Sequence, residues 1–124
     1  MKYEVQLTFL PGYSFQSEIA MLTGLEVDEI IEVTKNITTW RGSTYIQIMQ
    51  QLGYSTNPRF IKFDKETTYP CLMRTRKLGE KKYWYGWVYY DGFIYDTCFG
   101  KITWAEWNEK RPNFRITSML QVWI

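Results

Sequence analysis

Apolar residues recur along the first half of the chain with the three-and-four spacing of helices, and along the second half with the closer spacing of strands. Phe15, Ile19 and Leu22 fall at i, i+4 and i+7, which predicts a helix over about Ser14–Thr23 with Ser14 as its cap. Gly24 suits the left-handed residue that ends such a helix. Val27, Ile30 and Ile31 stripe a second helix from Val27 to about Lys35, and Asp28 and Glu29 match the positive end of its dipole. Asn36 to Gly42 reads as a loop. Tyr45, Ile48, Met49 and Leu52 repeat the helical spacing, so a third helix is expected, capped by Ser43 and ended by Gly53.

Strand patterns flank these helices. Lys2–Leu10 alternates loosely, as a strand or an extended lead-in, until Pro11-Gly12 breaks it. Arg59–Phe63 reads as a strand, and so does Leu72–Arg76 after Pro70. Tyr83–Tyr90 is rich in aromatic and β-branched residues and is the strongest strand. Asp91-Gly92 then forms a two-residue turn that tolerates positive φ, and Phe93–Asp96 returns along it. Thr103 and Glu106 make a capping box for a short helix through about Lys110. Ile116–Ile124 closes the chain as a strand, with Ile116, Met119 or Leu120, and Val122 as its apolar positions. The expected fold is α+β, with N-terminal helices packed on a C-terminal antiparallel sheet in one domain spanning residues 1–124.

Composition sharpens this picture only in places. With 124 residues, 45% hydrophobic and 19% aromatic, the chain can bury a core without a disulfide or a structural metal. Fifteen basic against 13 acidic residues give a net charge of +2, which does not by itself imply nucleic acid or an acidic membrane. No stretch approaches the ~18 apolar residues of a membrane span, and the opening Met1-Lys2-Tyr3-Glu4-Val5 lacks the apolar run of a signal peptide. The expectation is a soluble, cytoplasmic protein with no membrane partner.

The chain has no histidine. Ser–His–Asp and Cys–His catalysis and histidine-bearing zinc sites are therefore impossible. No GxxxxGK[ST] or GxGxxG is present, so no phosphate-cradling loop is expected, and no cofactor. Asp28, Glu29 and Glu32 read as a solvated helix face, so no metal site is expected. Cys71 and Cys98 are too far apart for a CxxC pair; a disulfide between them stays open beside the favoured reading of two free thiols. Cys71 reads as a small buried hydrophobe. Cys98 falls in a loop, with Lys101 as the nearby cation for lowering a thiol pKa. Trp104 and Trp107 stand one turn apart and form either an exposed ridge or part of the core. Trp40 next to Arg41 is a pair enriched at binding hot spots. Lys77, Lys81 and Lys82, flanked by Arg74 and Arg76, interleave with Tyr83, Trp84 and Tyr85. With Arg41 they suggest a nucleotide or nucleic-acid surface; the plainer reading is a turn whose lysines keep a sheet edge soluble.

Three segments carry a family resemblance. Ser14-Phe15-Gln16-Ser17-Glu18-Ile19-Ala20-Met21-Leu22-Thr23-Gly24-Leu25, followed by Asp28-Glu29-Ile30, resembles the N-terminal helix of papain-like cysteine peptidases of the bacteriocin leader-processing (double-glycine) type. There a catalytic Cys-Gly pair opens the helix, and a phrase like A-M-L-T-G-hydrophobic follows. Gly42-Ser43-Thr44 with Leu52-Gly53-Tyr54 resembles the family's next helix. Gly86-Trp87-Val88-Tyr89-Tyr90-Asp91-Gly92-Phe93-Ile94-Tyr95-Asp96 resembles its H-W-V-V-x-D-G-x-x-Y-D-P segment, whose His and last Asp complete the site. In this register Ser14 takes the place of the cysteine, Phe15 of the following glycine, Gly86 of the histidine and Thr97 of the proline. Asp96 alone matches, and Gln6, the one candidate for the oxyanion glutamine, has the wrong spacing.

The resemblance implies a papain-like peptidase scaffold without its chemistry. It implies a binding cleft between the Ser14 helix and the Gly86–Asp96 hairpin, formed with Tyr85, Trp87, Tyr95 and Trp40, and with free volume at Gly86 where the imidazole would sit. The implied partner is a host protein or peptide, and the implied role that of an inhibitor carried by a phage or mobile element. A residual hydrolase using Ser14 or Cys98 with Asp96 is a further alternative. It is chemically poor, because a serine hydroxyl needs a tuned base and a carboxylate of pKa near ~4 is a weak one.

Overall fold

The computed structural model describes residues 3–124. Helices α1 (Ser14–Thr23), α2 (Val27–Thr34) and α3 (Gly42–Gln51) come first; α4 (Trp104–Lys110) lies late in the chain. The strands are β1 (Ser55–Thr56), β2 (Cys71–Lys77), β3 (Tyr85–Tyr90), β4 (Phe93–Asp96), β5 (Gly100–Thr103) and β6 (Phe114–Trp123). They form one antiparallel sheet in the order β1-β6-β2-β3-β4-β5. The α+β expectation holds.

Strand parity divides the core in two. Leu72, Val88, Tyr95, Leu120 and Val122 face the first three helices and pack with Ile19, Ile30, Tyr45 and Met49. The alternate residues Cys71, Met73, Tyr89, Ile94 and Met119 face the other way and pack with Trp107 of α4 and Ile102. Consecutive buried residues in β2 are therefore the mark of a central strand covered on both faces. The β3–β4 turn matches its expectation, with Asp91 at φ 52° and Gly92 at φ 84°. The capping box of α4 does too: Thr103 Oγ1 accepts from Glu106 N at 3.2 Å, and Glu106 Oε1 accepts from Thr103 N at 3.1 Å.

Several local expectations are corrected. Residues 3–10 form no strand, and Lys2 lies outside the described residues. Their apolar side chains serve elsewhere: Val5 packs on the helical core, and Phe9 stands half in solvent at the rim of a cleft. Ser14 does not cap α1; Tyr13 occupies that position without a side-chain cap bond. Ser17, one turn in, ties the lead-in to the helix instead, donating to Tyr13 O at 2.7 Å and accepting from Leu10 N at 3.0 Å. Ser43 lies inside α3, whose cap residue is Arg41, and Arg41 N donates to Thr44 Oγ1 at 3.1 Å. Arg59–Phe63 is not a strand. It touches the sheet through one bridge, Ile61 to Met119, while Ile61 and Phe63 pack on the second core.

Strands β1 and β5 were not expected, being two and four residues long with weak alternation. Trp104 and Trp107 make no exposed ridge: Trp107 is fully buried, and Trp104 stacks on Phe63 at 5.2 Å. Both cysteines are free, Cys71 buried and Cys98 exposed. Among the described residues no helix is long and apolar enough to cross a membrane.

Candidate functional site

Antiparallel pairing leaves part of β3 uncovered. β4 pairs with Val88, Tyr89 and Tyr90 only, so Tyr85–Trp87 meet β2 on one side and no strand on the other. A cleft of about 440 Å³ lies along this margin, between β3 and the start of α1. Ser14, Tyr85, Gly86, Trp87 and Tyr95, which the resemblance groups together, all line it. Phe9, Tyr83 and Tyr85, which are 48%, 55% and 37% exposed, rim it. Exposed aromatics gathered round one concavity, rather than scattered singly, are what marks an interaction site.

Two expected members stand apart from the cleft. Trp40 lies behind its wall, stacked on Phe15 at 4.9 Å and 5.1 Å from Tyr45. Asp96 is fully buried on the opposite face of the sheet, because Tyr95 next to it faces the helices. Its Oδ2 accepts from Trp87 Nε1 at 3.0 Å and Arg111 Nε at 3.1 Å. Its Oδ1 accepts from Arg111 Nη2 at 3.1 Å, Cys98 N at 2.8 Å and Phe99 N at 3.2 Å. Burial pushes this carboxyl up, but the Arg111 pair and the two amides outweigh it and hold its pKa below the usual range. A carboxylate so engaged has no lone pair free for the Ser14 hydroxyl.

The space at Gly86 is not empty. A β-carbon there would stand 3.0 Å from Leu72 Cδ1 and 3.1 Å from Glu18 Oε2. Glu18 therefore fills the volume expected to be free for an imidazole. Glu18 is buried in α1 and lines the cleft, and its Oε1 accepts from Tyr45 Oη at 2.8 Å. Burial pushes its pKa up to about 8, with the Tyr45 hydrogen bond pulling partly the other way. Near neutral pH it is mainly the uncharged acid. Sequence reasoning passed over this residue, although a signal was present. Phe15, Glu18, Ile19 and Leu22 fall at i, i+3, i+4 and i+7, so a carboxyl stands on the apolar stripe.

The basic–aromatic segment is spread out. Arg41, Lys77, Lys81 and Lys82 are exposed, but Trp84 is half-buried, 5.7 Å from Tyr45 and 6.1 Å from Phe60. The Arg74 guanidinium lies 4.3 Å over Phe60 and 5.8 Å over Trp84. Those ring faces are already occupied. Lys101 lies 4.4 Å over Phe93, and the cation that meets Cys98 is Arg111.

Comparison with protein-family models, curated proteins and solved structures finds no match for this chain.

Proposed function

We propose that this chain is a binding protein without catalytic activity, which holds a host peptide or protein segment in the cleft between α1 and β3. The carrying observation is the cleft itself, with its aromatic rim and, in its wall, the buried carboxyl of Glu18, which accepts a hydrogen bond from Tyr45. Its papain-like character rests on the sequence resemblance, and Ser14 and Gly86 sharing one cleft supports that reading. The role of a phage or mobile-element inhibitor follows from the same resemblance, and a cytoplasmic location is part of the proposal.

The residual-hydrolase alternative is weaker on this geometry, since Asp96 faces away and is fully engaged. The nucleic-acid alternative is weaker because Trp84 packs on Tyr45 and Phe60 and its open part lines the cleft, apart from the exposed lysines. The test is capture of partners from bacterial lysate by the tagged protein, run in parallel with Phe9→Ser and Tyr85→Ser. A stoichiometric protein retained by the parent chain and lost with both variants is expected. A partner kept by both variants, or recovery of nucleic acid alone, overturns the reading.

A further inference from the structure

The floor of the cleft is a strand margin, and that determines what it takes. Tyr90 and Phe93 flank a two-residue turn, where the flanking residues form a hydrogen-bonded pair. Alternation then turns the N–H and C=O of Val88 toward β4, opposite Tyr95, and those of Tyr89 and Trp87 toward β2. Tyr85 agrees with this phase, because its C=O accepts from Thr75 Oγ1 of β2 at 3.0 Å. Gly86 belongs with Val88. Its N–H and C=O point to the β4 side, one step beyond the end of that ladder, where no strand lies. These groups open onto the cleft, and a sheet margin of this kind is a template for another strand.

One end of the margin is basic. Arg76 and Lys77 at the end of β2 and Lys81 and Lys82 in the β2–β3 connection are all exposed, against Glu80. The middle of the cleft is uncharged in effect: Glu18 is mainly protonated, and Arg111 is paired with Asp96. On this basis we infer that the cleft takes an extended peptide, added as a strand along Tyr85–Trp87, with an apolar side chain against Phe9 and Tyr85 and acidic residues at the end that meets Lys81 and Lys82. The inference rests on the reading of the cleft as a peptide site and adds the binding mode and the peptide class. Main-chain hydrogen bonds supply affinity in such a mode, and the pocket and charges supply selectivity.

The test is a titration of isotope-labelled protein, followed by amide NMR, with acetyl-Val-Phe-Val-Glu-Glu-amide. The parallel probes are the same peptide methylated on its first three backbone nitrogens, and indole as an apolar fragment. The expected result is a shift and slowed exchange of the Gly86 amide with the parent peptide. Methylation should weaken binding by about tenfold or more, since it removes hydrogen bonds without removing side chains. Lys81→Glu with Lys82→Glu should weaken it at least about fivefold at low salt and less at high salt.

Several outcomes overturn the inference. Equal binding of both peptides, or peptide shifts at Ser14–Glu18 with none at Gly86, removes strand addition. Shifts with indole but with neither peptide do the same and leave the cleft reading standing. No response of the cleft to any probe overturns both. Gly86 protected in the free chain, with a concentration-dependent dimer in sedimentation, gives the margin to a second copy of the chain instead.

Discussion

Glu18 is the residue through which stability and pH are most directly coupled. In the unfolded chain its carboxyl loses its proton around 4.5, while in the folded protein it keeps it to about 8. Between those values the folded state binds more protons, so each rise in pH favours unfolding. The whole shift corresponds to about 5 kcal/mol, and by pH 7 about 3 kcal/mol of it has been lost. Above pH 8 both states are ionised and the effect levels off. Glu18→Gln keeps an oxygen that accepts from Tyr45 and removes the titration. The assay is urea unfolding followed by tryptophan fluorescence at pH 4, 5, 6, 7, 8 and 9 on both proteins. Subtracting one curve from the other cancels every titration they share. The glutamine variant should gain on the parent chain steadily from pH 5 to 8, by several kcal/mol in all. A difference that stays constant within about 0.5 kcal/mol across that range refutes the argument, because it would mean Glu18 ionises in water-like surroundings.

Other consequences can be checked with the same preparation. Asp96→Ala strands the Arg111 guanidinium, the Trp87 indole N–H and two amides, and should cost about 3–5 kcal/mol in urea unfolding. Because the folded pKa of Asp96 is depressed, its contribution is present at neutral pH and is lost as pH falls through that value; acid unfolding of an Arg111→Met variant should therefore begin at higher pH. Thr103→Ala removes the side-chain cap of α4 and should cost about 1 kcal/mol. A thiol reagent should titrate Cys98 in the native protein and Cys71 only on unfolding; fast labelling of both would show that the β2 core opens readily.

The order of helices and strands was legible because it depends on periodicity, which is local. The spacing of Tyr45, Ile48 and Met49 survives folding unchanged, and Asp91-Gly92 turns the chain by its own backbone preference. Helix starts were less legible. A serine at the right distance is a good cap, yet at α1 the helix starts one residue early, so Ser14 lies inside it and Tyr13 takes the cap position. Strand β1 was invisible because two residues carry no pattern, and its pairing with β6 is a tertiary event. The resemblance named five of the residues that line the cleft, and its departures have different causes. Asp96 was misplaced although parity was readable: Ile94 and Asp96 share a face, and Tyr95 has the other. Glu18 was missed because apolar positions were counted without asking which polar residue lay among them.

Asp96 also governs where pairing stops. Its Oδ1 holds the amides of Cys98 and Phe99, so the chain bends away just past the last rung shared with β3. Had it run straight on, Thr97 would have come opposite Gly86 and closed the margin. The Asp96 carboxylate behaves as a zipper stop, set by an arginine at the C-terminal end of α4. The length of the open margin is thus set by a carboxylate buried on the far face of the sheet, whose partners Trp87 and Arg111 reach round to the cleft. Loosening that clamp should let the hairpin zip further and shorten the site.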